Sequence, residues 1–146
     1  ATGGFDLRLE NAEDFAFWLE LAPTGPIIRV PHALAYYHFH GGVQASANRA
    51  RAALHHLQAQ LDYLERHPDF AATIGRRQAR KLLYGDLLER GYEAYWKRDL
   101  PAARQIFRRL VRAAYGGWRD LKYLVPALLP LSLYRTLIGR MDKNAP

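Results

Sequence analysis

The sequence predicts a mainly α protein, with a small mixed α/β segment over residues 1–42 followed by an antiparallel helical bundle over residues 43–146. Three observations carry that expectation. From residue 44 to residue 114 apolar side chains recur at intervals of three and four, the spacing of one face of an α-helix. Between Pro26 and Phe39 that period disappears, and β-branched and aromatic residues of the kind that fit a pleated surface take over. Pro68, the run Asp99-Leu100-Pro101 and Gly116-Gly117 then divide the helical part into separate rods.

Taken in order, Asn11 suits an N-cap, and Glu13 and Asp14 fall in a first turn whose positive dipole end favours carboxylates. This helix should end by Ala22, because Pro23 and Gly25-Pro26 cannot continue it. Ile27-Ile28-Arg29-Val30 reads as a short strand stopped by Pro31, and residues 34–39 as a second extended piece. Gly41-Gly42 lets the backbone turn into a helix over 44–66, whose stripe is Ala47, Ala50, Leu54, Leu57, Leu61 and Leu64. A second long helix is expected over 72–98, with Tyr84, Leu88, Gly91 and Tyr95 on one face. A third opens at Asp99 and Pro101, carries Ala103, Ile106, Phe107, Leu110, Val111 and Ala114, and stops at Gly116-Gly117. Two short helices over 118–129 and 130–140 complete the bundle, with a tail that frays from Met141.

Residues 85–114 resemble a tetratricopeptide helix pair in Gly85-Asp86, Gly91-Tyr92, Tyr95, Asp99-Leu100, Ala103-Arg104 and Phe107. Solenoids need about three such units. One is visible, so an ordinary antiparallel hairpin is the expectation.

Composition narrows the function classes. The chain has no cysteine, which excludes a disulfide framework, a thiolate metal site and a cysteine nucleophile, and fits a reducing compartment. The N-terminus lacks the pattern of a signal peptide, and no stretch reaches the ~20 apolar residues of a membrane-crossing helix. A cytoplasmic chain, in contact with a membrane surface at most, is therefore expected. A start at Ala1 rather than Met reads as a processed or truncated chain.

The net charge of +7 is uneven: five Lys/Arg against eight Asp/Glu in residues 1–69, then sixteen against six in residues 70–146. Such a basic half suits an anionic partner or, more commonly, a set of solvated helix faces. Arg76-Arg77, Arg80-Lys81, Arg104, Arg108-Arg109 and Arg112 form the basic runs, and no nucleic-acid motif accompanies them. Nucleic acid is therefore not an expected partner. Residues 123–134 carry no charge, and fit either two short helices closing the core or contact with a lipid interface.

The chemistry-bearing residues lie near the N-terminus. Gly3-Gly4-Phe5-Asp6 precedes the acidic pair Glu13-Asp14, Trp18 follows on the same helix, and Tyr37-His38-Phe39-His40-Gly41-Gly42 comes after the extended stretch. A carboxylate at a helix start is held by backbone amides and can take a proton from an attacking hydroxyl; it can equally be no more than a dipole partner. His38 and His40 alternate on extended backbone and so share a face, a spacing that can clamp a divalent ion. Trp18 is expected to pack against the strands rather than stack on a sugar ring, and His32, His55, His56 and His67 to lie at the surface or an interface.

In that order these elements resemble the end of the catalytic domain of family 2 inverting glycosyltransferases of the GT-A type. Those enzymes typically show a Gly-Gly-Phe-Asp start, a Glu-Asp-Trp helix, a strand and a Tyr-Arg-x-His-Gly-Gly element. The resemblance covers residues 3–46. It implies a GT-A remnant with its nucleotide-binding half upstream, Asp14 as general base, and Glu13 orienting it or binding acceptor hydroxyls. It implies a metal- or diphosphate-side role for His40, with Mg²⁺ or Mn²⁺ held in the full-length enzyme only with ligands from the other half. The family's Asp-x-Asp motif is absent here, so no cofactor is expected in this segment by itself.

The implied partners are a nucleotide-sugar donor and a glycan or lipid-linked acceptor, with no transfer by this segment alone. Two residues depart from the family pattern: His38 stands where arginine is usual, and so does Glu20. The rival classes are a non-enzymatic helical interaction or oligomerisation module and a basic helical nucleic-acid binder. Self-association through residues 27–40 or the 44–66 helix is expected of the isolated chain.

Overall fold

The computed structural model describes residues 4–36 and 48–143. Among them the regular structure is entirely helical: α1 (Glu13–Leu21), α2 (Arg49–Arg66), α3 (Pro68–Ile74), α4 (Arg76–Trp96), α5 (Leu100–Arg112), α6 (Leu121–Leu124) and α7 (Leu131–Lys143). Short 3₁₀ turns occupy Ala22–Thr24, Trp118–Asp120 and Pro126–Leu128. None of the described helices is long and apolar enough to cross a membrane.

Side chains set several of the helix ends. Asn48 accepts the Arg51 amide at 3.0 Å to open α2, and Asp99 accepts the Ala102 amide at 3.2 Å to open α5. Gly75 divides what the sequence reads as one helix over 72–98: at φ +76 it ends α3, and α4 begins at the next residue. That left-handed backbone is cheap for glycine alone. Both α4 and α5 finish in a Schellman turn. Asp99 N–H reaches back to Ala94 C=O and Arg98 N–H to Tyr95 C=O; Tyr115 and Ala114 do the same to Leu110 and Val111. Arg98 (φ 62) and Ala114 (φ 48) therefore hold the left-handed position, and α5 stops before Gly116-Gly117 rather than at it.

The core is built on the α4–α5 hairpin. Leu83, Leu87, Ala94 and Tyr95 of α4 meet Ala103, Ile106, Phe107 and Leu110 of α5. Ala50, Ala53 and Leu57 of α2 cover one side; Leu124, Ala127, Tyr134 and Ile138 close the other. Leu87, Ile106, Phe107 and Leu110 are fully enclosed, each worth roughly 1.5–3 kcal/mol of apolar burial. The Tyr134 ring is enclosed too, its hydroxyl meets no partner among the described residues, and burial pushes its pKa up to about 12. A second, smaller cluster of Leu9, Ala12, Ala16 and Ala59, with Phe15 beside it, seats α1 on α2.

Several expectations are corrected. The α/β remnant is absent from the described residues: 27–30 and 34–36 are irregular and form no strand, and Ile27, Ile28, Val30, Leu34 and Tyr36 are all exposed. A strand exists only through ladder hydrogen bonds to a neighbour, and this proline-bounded stretch meets none among the described residues. The N-cap of α1 is Ala12, not Asn11, because the turn that hydrogen-bonds Leu9 to Asp6 and Ala12 to Leu9 leaves Asn11 one residue early. The 118–129 helix is broken into turn, α6 and turn, since Pro126 has no N–H to continue the ladder. Helix α7 extends to Lys143.

Two opposite glycine–alanine exchanges test this geometry. A Cβ on Gly91 would lie 2.7 Å from Phe107 Cε1 and 3.1 Å from Ile106 Cγ2, both on enclosed side chains. Gly91→Ala should therefore lower stability by about 1–3 kcal/mol, although alanine is the better helix former. Ala114→Gly, at an exposed left-handed residue, should raise it by about 1 kcal/mol. Urea unfolding of both variants reads the signs directly. A stabilised Gly91→Ala protein would mean that the two helices do not cross this closely.

Candidate functional site

The segment leading into α1 is tied down at several points. Asp6 accepts the Arg8 amide and Nε, each at 3.0 Å, and the Arg8 guanidinium at 2.7 Å. Those bonds hold the Asp6 carboxyl below the usual carboxylate range. Arg8 also reaches Asp62 of α2 at 3.3 Å, and Glu10 pairs with Arg51. Phe5 stacks against Phe17 of α1 with ring centroids 5.1 Å apart. The Gly4-Phe5-Asp6 turn is in this way folded back on the helix that carries the acidic pair.

Asp14 is exposed in the first turn of α1, and its Oδ1 accepts the Phe15 amide at 2.6 Å. Glu13 is half-buried, and its enclosed Oε2 meets no donor among the described residues. Trp18, expected in a core against strands, is instead 59 % exposed, and no strand forms among the described residues to cover it. Four residues from Asp14, it stands one turn along the same face. An exposed carboxylate and an exposed indole therefore share one side of α1.

Behind Asp14 lies a group that periodicity did not single out. The Phe15 ring packs on His56 of α2 with centroids 4.7 Å apart. Burial lowers the His56 pKa from its ordinary value near 6.5; the charge of Arg90 lowers it further, and Asp86 and Asp14 oppose the shift. Arg90 is itself held by Asp86 at 2.8 Å. His55 is half-buried with an enclosed Nδ1, so neither histidine is a simple surface residue, whereas His32 is exposed. The only sequence signal for this group was its place two turns before Tyr63 on a helix with two apolar sides.

Glu20 pairs with Arg66 at 2.6 Å and with His67 at 3.2 Å. It ties the end of α1 to the end of α2. His38, His40 and Gly41-Gly42 lie outside the described residues. Among the described residues no three His, Asp or Glu side chains gather as a metal site, so no donor set there fits a divalent ion.

The basic runs are partly structural. Arg80 donates to the Ala113 and Ala114 carbonyls at 2.9 and 3.0 Å, and Arg104 to the Leu129 carbonyl at 2.6 Å. Arg76, Arg77, Arg80 and Lys81 line a hollow of about 730 Å³ beside Tyr115. A second, more open cleft of about 780 Å³ lies between Trp96, Trp118 and Tyr123, with Arg119 and Lys122 on its rim. Its signal in the sequence was the Trp that follows Gly116-Gly117.

No family model, curated protein or solved structure matches this chain.

The His56 environment gives a pH signature. A native pKa below the unfolded value means that the unfolded chain binds the proton more readily. The His56 contribution is then fully present above about pH 6.5 and is lost as the pH falls through the lowered native value. Urea midpoints measured between pH 7.5 and pH 5 should fall for the parent chain and fall less for His56→Gln. Parallel slopes would show that the ring is not buried against Phe15.

Proposed function

We propose that this chain is the acceptor-side end, with a helical extension, of an inverting glycosyltransferase that draws its sugar from a nucleotide-sugar donor. The observation that carries the reading is the exposed Asp14–Trp18 face of α1. A carboxylate there can take a proton, and an indole plane one turn away can lie against a sugar ring. Both stand on a helix clamped to α2 by Leu9, Ala12, Ala16 and Ala59, so the pair is held on a rigid element.

In the proposed reaction the acceptor hydroxyl attacks the anomeric carbon while its proton passes to the Asp14 carboxylate. The bond between the anomeric carbon and the diphosphate breaks, the nucleoside diphosphate leaves with the bonding electrons, and the sugar inverts. Glu13, half-buried beside Asp14, orients the base or meets acceptor hydroxyls. The diphosphate-side role of His40, and any divalent ion there, rests on the resemblance and on ligands from the nucleotide-binding half.

Exposed Ile27, Ile28, Val30, Leu34 and Tyr36 add support. Apolar, and β-branched at Ile27, Ile28 and Val30, they form a surface suited to the sheet of such a half. Helix α2, the other surface expected to drive association, already has its apolar sides covered by α1, α4 and α5.

In the full-length enzyme, Asp14→Asn should lower kcat by roughly 10²–10⁴-fold, the usual contribution of a general base, while donor affinity stays nearly unchanged. Residues 1–146 by themselves should transfer no sugar. Steady-state transfer kinetics with calorimetric donor binding separate the two quantities. A variant that keeps most of its kcat would return Asp14 to the role of a helix-dipole partner.

A further inference from the structure

We infer that the outward face of residues 118–128 is a docking surface for an anionic lipid bilayer. Trp118, Leu121, Val125 and Leu128 are all exposed, Trp118 to 87 %. They follow one another at intervals of three, four and three, so they form one stripe along the segment. The opposite side is occupied: Leu124 and Ala127 are buried against the bundle, and the Tyr123 ring packs on Tyr92, Tyr95 and Phe107. The stripe is therefore presented by a segment already fastened to the core, and needs no folding step to bind.

Charge selects the occupant. Arg119 and Lys122 stand beside the stripe, on the rim of the cleft that Trp118 shares with Trp96. The single carboxylate of the segment, Asp120, is turned to internal use: it accepts the Tyr92 hydroxyl and the Gly117 amide. What faces outward is thus apolar and aromatic surface edged by cations, within a half of the chain that carries sixteen Lys/Arg against six Asp/Glu.

Indole belongs at the boundary between acyl chains and headgroups, where its ring is shielded from water and its N–H is not. Lys and Arg beside it meet headgroup phosphates. Eleven residues of mixed α and 3₁₀ backbone reach only about 15–20 Å, too short to cross a bilayer but enough to lie along its surface. The face differs from the one first suggested by the uncharged 123–134 run, whose two tyrosines point inward: Tyr134 is enclosed and Tyr123 is half-buried. It does not depend on the catalytic reading of Asp14.

Flotation of the chain with vesicles tests the assignment. Binding to phosphatidylcholine vesicles containing phosphatidylglycerol is expected, with tryptophan emission moving to shorter wavelength. Vesicles of phosphatidylcholine alone, or raised salt, should weaken it at least about tenfold. The double variants Val125→Asp/Leu128→Asp and Arg119→Glu/Lys122→Glu should each weaken it by a similar factor. Circular dichroism and the urea midpoint should stay unchanged, because all four side chains face solvent or are half-exposed. Equal affinity for both vesicle types would overturn the inference. So would binding that survives both double variants, which would assign it to the Arg76–Lys81 hollow. Self-association abolished by Val125→Asp/Leu128→Asp, without vesicle binding, would make the face a contact between copies.

Discussion

Phe107 lies with its ring edge against Gly91, and the missing side chain at that glycine lets α4 and α5 approach closely enough for Ile106, Phe107 and Leu110 to be wholly enclosed. The remaining helices are arranged around this contact. Tyr92, one residue on from Gly91, packs edge-on against Phe107 and hydrogen-bonds Asp120, so the turn at 118–120 is located from the hairpin. Tyr123 then stacks on the same aromatic group and leads into Leu124 and Ala127. Close packing of this kind tolerates little change in volume. The aromatic cleft and the exposed stripe of 118–128 thus inherit their placement from one helix crossing.

The N-terminal helix is held differently. Ala12, Ala16 and Ala59 are small enough to bring α1 against α2, and the ion pairs Glu10–Arg51, Arg8–Asp62 and Glu20–Arg66 ring the contact. Exposed pairs of this type contribute about 0–1 kcal/mol each, so attachment depends mainly on the buried alanines and Leu9. The pairs restrict how α1 can turn about its own axis. That restriction keeps Asp14 and Trp18 outward and Phe15 against His56.

Positive charge in the C-terminal half serves two ends. Arg80 and Arg104 satisfy carbonyls where helices and turns end, and the Arg80 and Arg109 guanidinium groups lie over Tyr84, 5.5 and 5.9 Å from its centroid. Carbonyls at a helix end lack an intrahelical partner, and an arginine can supply one while its stem covers apolar surface. Arg119 and Lys122 stand instead at the rim of an open cleft, the Lys122 ammonium 5.0 Å from the Tyr123 ring centroid. A count of basic residues cannot separate these two groups; their neighbours do.

What the sequence by itself determined is the set of features that a few adjacent residues can specify. The three- and four-residue spacing marked α2, α4 and α5; Asp99 and Pro68 marked helix boundaries; and Glu13 and Asp14 were legible in the first turn of α1. Each depends on local backbone preference and on a periodic need to bury one face, whatever covers it. The tertiary structure decided what depends on residues far apart in the chain. Residues 27–36 carry strand composition, but a strand needs a hydrogen-bonded neighbour, and with none among the described residues they stay irregular and Trp18 stays exposed. Gly75 as a break, Glu20 as the partner of Arg66, His56 beneath Phe15 and the outward turn of Val125 and Leu128 likewise follow from which faces meet. Periodicity records that a face is apolar, and only packing decides whether another face arrives to cover it.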